Sequence, residues 1–401
     1  TIASGAKLTV GTDGAFIYKP NGAFNSLAAG QTTTDSFTYQ VSDGTGNFST
    51  ATAYVTVTGV DDAPMSTGGT VTGVENTATV FAWTDFNITD IDSPITSSTA
   101  IQLTSLPASG SLQYFNGSDW NIASVGLTIT KGEMDAGRLR FVPTNNESGY
   151  DGYGNPGTGN GFDDYANFGF APIDTATIAV INGDAESDVL SEGGWNSTLT
   201  GWISSGNSGN FNPTATQYSN DQDNVLFTNV GNTLTQTLGT NFSSTNNYAL
   251  SVDIGWRLDY ATSPVFDVEL WAGATRIGFF NQSNLTPVQG QFVRHTLTVD
   301  GSSFGALDGQ ALKIRFYDAG SQTNYDNVEL RSFNALGSAA LMTIDVTPVN
   351  DAPLEASIEG TALDYTENDG AVAITSTLAL SDLDDTNLES AIVKITGNYA
   401  N

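Results

Sequence analysis

The sequence predicts an all-β protein, and two observations support this prediction. Apolar and polar residues alternate in short runs, for example at 53–57, 266–270 and 312–316, and Gly, Asn and Asp separate these runs. A period of two places one face of a strand in a core and the other face in solvent. No segment of the sequence shows the apolar stripe of an amphipathic helix. We therefore expect a series of β-sandwiches.

The composition excludes several classes of partner. The chain of 401 residues has 43 acidic and 12 basic residues and a net charge of −31. Nucleic acids and anionic membranes both require a positive surface, so neither is an expected partner. The excess of carboxylates favours a hard divalent cation, and we expect Ca²⁺ as the cofactor. There is no cysteine, so disulfides and thiolate metal sites are excluded.

Targeting and membrane segments are also missing from the sequence pattern. We find no signal peptide and no apolar run long enough to span a bilayer, so membrane insertion is not expected. The first and last residues, Thr1 and Asn401, both fall inside repeating patterns. We therefore interpret the chain as part of a longer secreted protein.

One short segment occurs twice and indicates domain ends. The octapeptide at 57–64 returns at 346–353 with six of its eight residues unchanged. Each copy is a strand that ends in two acidic or amide side chains followed by Ala-Pro. Domains commonly have about 100–150 residues, so the two copies are too far apart to delimit a single repeat.

A second repeated pattern locates the extra segment. The run at 37–43 resembles the run at 168–174, but only the first is soon followed by the junction octapeptide. We therefore expect one repeat to be interrupted before its last strand, which resumes at 340–346. The expected layout is the end of one repeat (1–63), a split repeat (64–175 and 337–352), an inserted domain (176–336) and the start of another repeat (353–401).

Acidic residues follow both junctions in the same order. Glu75 precedes Asp90 and Asp92 as Glu367 precedes Asp382 and Asp384. Together with the Ala-Pro junctions and the Ser-Asp-Gly at 42–44, this pattern resembles cadherin-like repeats. The bacterial members of that family are tandem repeats of large RTX-type surface adhesins that type I systems secrete. The resemblance implies cadherin/immunoglobulin-like β-sandwiches on a bacterial cell surface, with roles in cell adhesion and biofilm formation.

The resemblance also implies Ca²⁺ sites between neighbouring repeats of the same chain. Ca²⁺ takes about six to eight oxygen ligands, and clustered carboxylates repel one another until a cation neutralises them. Filled junctions would turn hinges into struts, whereas the alternative is that these side chains are solvated turn residues. The first junction would use Asp43, Asp61, Asp62, Glu75, Asp90 and Asp92. The second would use Asp174, Asn350, Asp351, Glu367, Asp382 and Asp384.

The expected insertion differs in composition from the repeats. It contains four of the six tryptophans: Trp195, Trp202, Trp256 and Trp271. Its opening at 181–186 and its closing at 325–330 resemble jelly-roll carbohydrate-binding modules and their galactose-binding-like relatives. That resemblance implies a structural Ca²⁺ held by Asp184, Glu186 and Asp326. An ordinary Asn-Gly-Asp turn is the alternative.

Polar faces of three strands in the insertion are candidates for a sugar site. A sugar is bound by carboxylates, guanidinium groups and aromatic rings on one concave sheet. Cross-strand ion pairs on a solvated sheet are the alternative. The loop 218–223 is a second candidate, for either a cation or a sugar. The candidate glycan-binding residues are Asp253, Arg257, Asp267, Glu269, Trp271, Arg315 and Tyr317.

The sequence does not favour an enzyme. His295, the single histidine, lies in a strand-like run without a nucleophile elbow. Asp267 and Glu269 are two residues apart on one strand, which fits a ligand site better than a glycosidase cleft. The first hypothesis is a Ca²⁺-stiffened adhesin segment that displays a lectin for cell-surface or extracellular glycans. The alternatives are a structural spacer that contacts other proteins and a non-catalytic region of a secreted polysaccharide-degrading enzyme.

Overall fold

The N-terminal part of the chain forms two antiparallel hairpins. The computed structural model describes residues 2–392 apart from 118, 150–164, 220–222, 351, 357–359, 361–363, 369, 374, 376 and 383–389. The ring of Phe16 packs against Phe37 and Tyr39 and joins the two hairpins. The strands are β1 (Lys7–Val10), β2 (Phe16–Lys19), β3 (Thr32–Ser42) and β4 (Phe48–Thr58).

Ten strands and two short helical segments follow before the insertion among the described residues. A 3-10 helix spans Trp83–Phe86, and helix α1 spans Lys131–Asp135. Thr130 and Glu133 form a capping box at the start of α1. The strands are β5 (Met65–Ser66), β6 (Gly69–Val74), β7 (Thr79–Val80), β8 (Ile88–Thr89), β9 (Thr99–Leu103), β10 (Ser111–Phe115), β11 (Trp120–Ile122), β12 (Thr128–Thr130), β13 (Leu139–Val142) and β14 (Ala166–Asp174).

The insertion is a sandwich of twelve strands among the described residues. A 3-10 helix spans Gly301–Leu307 between its tenth and eleventh strands. The strands are β15 (Ala176–Ile178), β16 (Trp195–Asn196), β17 (Ile203–Ser205), β18 (Ser208–Phe211), β19 (Val225–Thr228), β20 (Thr233–Asn241), β21 (Asn247–Gly255), β22 (Phe266–Ala272), β23 (Thr275–Asn281), β24 (Phe292–Asp300), β25 (Ala311–Asp318) and β26 (Thr323–Phe333).

Two sheets enclose the core of the insertion. The seven-stranded sheet has the order β16-β18-β19-β26-β21-β24, and β15 also pairs with β26. The five-stranded sheet has the order β17-β20-β25-β22-β23. Alternate residues of β21, β22 and β25 are fully buried between the sheets, as the period of two predicts. The rings of Phe316 and Tyr325 stack across the core with centroids 4.2 Å apart.

The chain returns from the insertion to complete the split repeat. Strand β27 (Ala340–Thr347) pairs antiparallel with β14 and parallel with β6. The two sheets of this sandwich have the orders β12-β9-β14-β27-β6 and β11-β10-β13-β7. The insertion therefore lies between two neighbouring strands of one sheet.

The insertion packs directly on the repeat that carries it. Gln102 donates to the Thr298 hydroxyl at 3.2 Å, and the guanidinium of Arg294 lies 5.4 Å from the ring centroid of Tyr114. A buried apolar cluster crosses this seam and consists of Ala100 and Ile173 from the repeat and Ala249 and Phe333 from the insertion. The seam fixes the orientation of the insertion on the repeat.

In the described residues after β27, the strands β28 (Leu354–Ala356) and β29 (Ala379–Ser381) form a two-stranded ladder. The all-β class and the β-sandwich architecture predicted from sequence are confirmed. Within the described part of the chain, none of the helices has the length and apolarity that a membrane span requires.

Candidate functional site

The first junction brings acidic side chains from three segments together. The backbone N–H of Asp62 donates to the Asp92 carboxylate at 3.2 Å, and the N–H of Asp92 donates to Asp90 at 3.0 Å. Asp174, the last residue of β14, accepts the Thr99 hydroxyl at 3.3 Å. One oxygen each of Asp90, Asp92 and Asp174 is buried without a hydrogen-bond partner among the described residues. Such orphaned oxygens require a donor or a cation.

Burial and neighbouring charges shift these carboxyl groups. Burial, together with Asp90 and Asp61, raises the pKa of Asp174 to about 7. Burial and Asp90 also raise the pKa of Asp92. The pKa of Asp90 is lowered, because backbone N–H groups of Ser93 and Asp92 stabilise its charge against the effect of burial. The cluster therefore lacks a counter-charge.

Asp43 lies away from this cluster, which corrects its assignment to the first junction. It follows β3 at the tip of the β3–β4 hairpin, and the 11-residue β4 separates it from Asp61 and Asp62. A strand of that length spans roughly 35 Å. The carboxylate closes its own turn by accepting the backbone N–H of Thr45 at 2.8 Å and the side-chain amide of Asn47 at 2.7 Å.

The sequence assigns Glu75 to the first junction and Asp174 to the second, but in the structure each lies at the other junction. Glu75 follows β6, which runs parallel to β27, so it lies at the end where β27 leads into the second junction. Its carboxylate is buried and accepts the backbone N–H of Val349 at 2.9 Å. Asp174 ends the antiparallel strand β14 and therefore lies at the opposite end, with Asp90 and Asp92. The structure corrects both assignments.

The remaining second-junction residues are placed only in part. Asn350 is exposed just after β27, Glu367 is exposed, and Asp382 directly follows β29. Asp351 and Asp384 lie outside the described residues. The expected convergence of this group on an ion stays a prediction.

The three candidate Ca²⁺ ligands of the insertion lie within electrostatic reach of one another. Burial and Asp253, followed by Glu186 and Asp184, raise the pKa of Asp326 well above its ordinary value. Burial raises the pKa of Glu186, and the charge of Asp223 in the candidate loop 218–223 adds to this shift. No three acidic, histidine or cysteine side chains in the described part of the chain are arranged to hold a metal ion.

The candidate glycan residues do not share one concave sheet. β21 belongs to the seven-stranded sheet, whereas β22 and β25 belong to the five-stranded sheet, so the set is divided between the two outer faces of the sandwich. Asp253 is buried, and its carboxylate accepts hydrogen bonds from Arg294 at 3.2 Å and from Asn327 at 2.9 Å. Asp253 and Arg257 are thus separated from Asp267, Glu269, Trp271, Arg315 and Tyr317.

Glu269 is the centre of an ion-pair network on the five-stranded sheet. It accepts Arg276 at 2.8 Å, Arg315 at 3.1 Å and the Trp271 indole N–H at 2.9 Å. These contacts use the polar groups that a sugar would need. The solvated-face alternative with cross-strand ion pairs fits this part of the candidate set better.

A different group of side chains forms an aromatic pocket on the outer face of the seven-stranded sheet. The pocket is a cavity of about 230 Å³. Trp195 is 61% exposed, and its ring meets Phe227 edge-on with centroids 6.3 Å apart. The Arg257 guanidinium lies 4.9 Å from the ring centroid of Phe211 and 4.8 Å from that of Tyr260. Polar lining groups come from Asn207, Asn229 and Gln322.

Of the pocket residues, only Arg257 was in the sequence-based glycan set. One sequence pattern could have indicated the pocket: in β19 the consecutive residues Val225, Leu226 and Phe227 are all apolar, and all three are buried. A strand that is apolar on both faces is covered on both faces. Phe227 belongs to a second aromatic cluster outside the sandwich core, and Tyr218 from the candidate loop is buried in it.

Two segments of the chain match known families. Residues 1–58 match the model of a bacterial Ig domain, and residues 176–331 match the model of a family described as HpiC1 cyclase. The chain therefore contains an Ig-like region, and its insertion is similar in sequence to the second of these families. The expectation that the chain is not itself an enzyme stays a prediction. No curated protein matches the chain.

Solved structures similar to this chain include two cyclases and a xylan-binding domain. The apo form of a cyclase from Fischerella sp. is 24% identical and covers 40% of this chain and 98% of its own, with a TM-score of 0.37. A cyclase from Fischerella sp. TAU in complex with 4-(1H-indol-3-yl)butan-2-one is 24% identical over 41% and 99%, with a TM-score of 0.35. The CBM22-1 xylan-binding domain from Paenibacillus barcinonensis is 14% identical over 34% and 87%, with a TM-score of 0.24.

Proposed function

We propose that this chain is a segment of an extracellular bacterial adhesin whose insertion binds glycans at the aromatic pocket. The observation that carries the proposal is Trp195, a largely exposed indole ring at the rim of a cavity that also contains buried rings and amides. Large exposed aromatic side chains around a pocket are typical of ligand sites.

The chemistry of the pocket favours a neutral sugar ring. The apolar face of a sugar stacks on an indole, while its hydroxyl groups bond to amides such as those of Asn229 and Gln322. The guanidinium of Arg257 is already engaged by both oxygens of Asp259 and by Gln322. Its charge is therefore balanced, and a charged ligand gains little from it. At this pocket the net charge of −31 likewise provides no long-range attraction for an anionic glycan.

The oxygen donors of the first junction suit Ca²⁺, although its carboxylates would have to move closer together to surround an ion. Asp90, Asp92 and Asp174 each have a buried oxygen without a partner, and carboxylate oxygens are the ligands that Ca²⁺ prefers. A bound ion would neutralise this cluster and connect the linker at Asp61 and Asp62 to the split repeat. We propose the same role for Glu75 and the second junction, and a structural ion near Asp326 in the insertion.

The proposal also includes a cellular location and a secretion system. Ig-like repeats joined by Ca²⁺-stiffened linkers are suited to extend from a bacterial cell surface, and type I secretion of an RTX-type adhesin would deliver them there. The array would hold the insertion at a fixed distance from the cell, where surface attachment and biofilm formation require contact with glycans. The partners are then extracellular glycans and neighbouring repeats.

The glycan site is tested with one matched pair of variants in the full chain. Trp195→Ala removes the ring at the pocket, and Trp271→Ala removes a ring from the opposite sheet. An array of neutral and acidic oligosaccharides identifies a ligand, and calorimetry then measures its affinity. We expect Trp195→Ala to weaken binding by about tenfold or more, the loss of roughly 1.4 kcal/mol of stacking, and Trp271→Ala to leave it unchanged.

Three outcomes contradict the glycan site. Absence of any bound glycan in millimolar Ca²⁺ favours the spacer alternative. Loss of binding on Trp271→Ala alone would return the site to the five-stranded sheet. Equal binding by the unaltered chain and Trp195→Ala excludes the aromatic pocket.

A cyclase is the second candidate, and the match of residues 176–331 to the HpiC1 cyclase family favours it. The same pocket of aromatic rings would accept a planar hydrophobic molecule. The compound 4-(1H-indol-3-yl)butan-2-one, which the relative from Fischerella sp. TAU binds, serves as the probe. Tight binding of this indole at the Trp195 pocket, with no binding of neutral sugars, would favour the cyclase over the lectin.

A further inference from the structure

A second pocket opens at the seam between the split repeat and the insertion. This seam pocket is a cavity of about 360 Å³. The repeat contributes Ser98, Glu133 and Arg138, and the insertion contributes Thr177, Glu329 and Arg331. Neither part forms the pocket alone. It lies outside the aromatic pocket, with which it shares no lining residue.

Two guanidinium groups in this pocket have unused hydrogen-bond capacity. Within the described part of the chain, Arg138 makes hydrogen bonds through its backbone, and its side chain has no hydrogen-bond or ion-pair partner. The Arg331 side chain is 15% exposed, and its guanidinium donates to Thr177 at 3.2 Å and to Glu329 at 3.4 Å. A guanidinium has about five N–H donors, so most of those on Arg331 are left for a ligand. Arg138 and Arg331 are two of only 12 basic residues in the chain, and Glu133 and Glu329 balance their charge within the pocket lining.

The two carboxylates of the seam pocket are already satisfied by protein donors. Glu133 accepts the Tyr114 hydroxyl at 2.6 Å and the Thr130 hydroxyl at 2.7 Å. Glu329 accepts Arg294 at 3.1 Å. Neither carboxylate therefore needs to neutralise Arg138. Because both remain negative and close by, they oppose a ligand with two or more charges.

We infer that the seam pocket binds a single sugar residue that carries a carboxylate, such as a uronic acid of an acidic polysaccharide. The carboxylate would be bound by Arg138 and Arg331, since a guanidinium matches its two oxygens with parallel hydrogen bonds. The hydroxyl groups of the ring would meet Ser98 and Thr177. The cavity is at the small end of ligand pockets, which span about 300–1,000 Å³, and this suits one or two sugar rings.

The test measures binding of D-galacturonate and D-glucuronate to the full chain by calorimetry and ligand-observed NMR. D-galactose, D-glucose, acetate and inorganic phosphate are the comparison ligands. We expect saturable binding of a uronate, no binding of the neutral sugars, and weaker binding of acetate and phosphate. Arg138→Gln and Arg331→Gln should each reduce uronate affinity by at least about tenfold, since each removes a charge-assisted contact.

Three further variants separate the seam pocket from other causes. Arg138→Lys keeps the charge and should retain part of the affinity that Arg138→Gln loses, which distinguishes a binding role from a folding defect. Arg276→Gln removes an arginine of the opposite sheet and should change nothing. Trp195→Ala should also leave uronate binding unchanged, so the result of this test does not depend on the aromatic pocket. The inference is overturned if no uronate binds, if galactose binds equally well, if phosphate binds as tightly as the uronate, or if Arg276→Gln weakens binding as much as Arg138→Gln.

Discussion

Asp174 carries the clearest electrostatic consequence of the first junction. Its carboxyl group has a pKa of about 7 because burial and the neighbouring Asp90 and Asp61 disfavour its charge. The ordinary value for an aspartate is 3.8. At a pH between those two values, this carboxyl group is therefore protonated in the folded chain and ionised in the unfolded chain. A raised pKa of this kind makes folding less favourable as the pH rises through the window.

We predict that in Ca²⁺-free buffer the melting temperature of the chain falls as the pH rises from about 4 to about 7. Asp174→Asn should reduce this fall, because the amide cannot ionise. Asp43→Asn is the control, since that carboxylate lies in its own turn at the hairpin tip. Thermal melts in EDTA across this pH range measure the effect. An identical pH profile in Asp174→Asn and the unaltered chain would contradict it.

Rising pH is expected to lower the melting temperature through these carboxylates, and Ca²⁺ bound to them should raise it. At pH 7.5 we expect added Ca²⁺ to raise the melting temperature of the unaltered chain, because binding to the folded state stabilises it. Asp90→Asn and Asp174→Asn should each weaken this response, and Asp43→Asn should not. Scattering experiments with and without Ca²⁺ provide a second measurement. A maximum dimension that does not change would contradict the strut role.

At the scale of single strands, Glu75 joins β6 to the linker that follows β27. Its buried carboxylate accepts the Val349 N–H, and its own N–H donates to the Thr347 carbonyl at 2.9 Å. We predict that Glu75→Ala lowers the free energy of unfolding by about 0.5–1.5 kcal/mol, the net contribution of one hydrogen bond, because Val349 itself is exposed. Glu75→Gln retains an acceptor and should cost less. Urea denaturation in EDTA compares the two, and equal losses would exclude the hydrogen bond as the cause.

Strand faces could be predicted from the sequence, but strand partners could not. The residues Leu250, Val252 and Ile254 are all fully buried, as their alternation predicts. Alternation does not say which sheet a strand joins, however. β21 and β22 present similar patterns and lie in different sheets, so a single glycan face could not be assembled from them.

The junction residues illustrate a second limit of sequence reasoning. Asp43 follows β3 and Asp174 ends β14, and the sequence around the two residues is similar. Whether such a residue faces the preceding or the following repeat depends on strand direction within the sandwich, which spacing does not contain. The same reason explains why Glu75, at the end of the parallel strand β6, belongs to the second junction. The residue types were informative, and their grouping required the topology.

The seam makes the split repeat and the insertion depend on each other. Removing 176–336 and closing β14 to β27 with a short turn would expose Ile173 and Ala100, which the insertion covers. We predict that this deletion leaves a folded repeat with a free energy of unfolding lower by about 1.5–3 kcal/mol, the value of burying one large aliphatic side chain.

The deletion is measured by urea denaturation of the shortened and unaltered chains. Phe333→Ala in the full chain is the comparison, because it thins the same cluster without removing the insertion. A shortened chain as stable as the original would show that the seam contributes nothing to the repeat. A chain that fails to fold would show that the insertion is required for the sandwich to close.

The parallel pair β6–β27 has a consequence for how the molecule carries force. The pair extends over six residues, from Gly69 opposite Met342 to Val74 opposite Thr347. Tension applied through the two junctions pulls the start of β6 and the end of β27 in opposite directions, so their hydrogen bonds are loaded in shear and must break together. The load passes from strand to strand without entering the insertion. Tension that enters at the two junctions would therefore leave the fold of the insertion, and the pockets on it, undistorted.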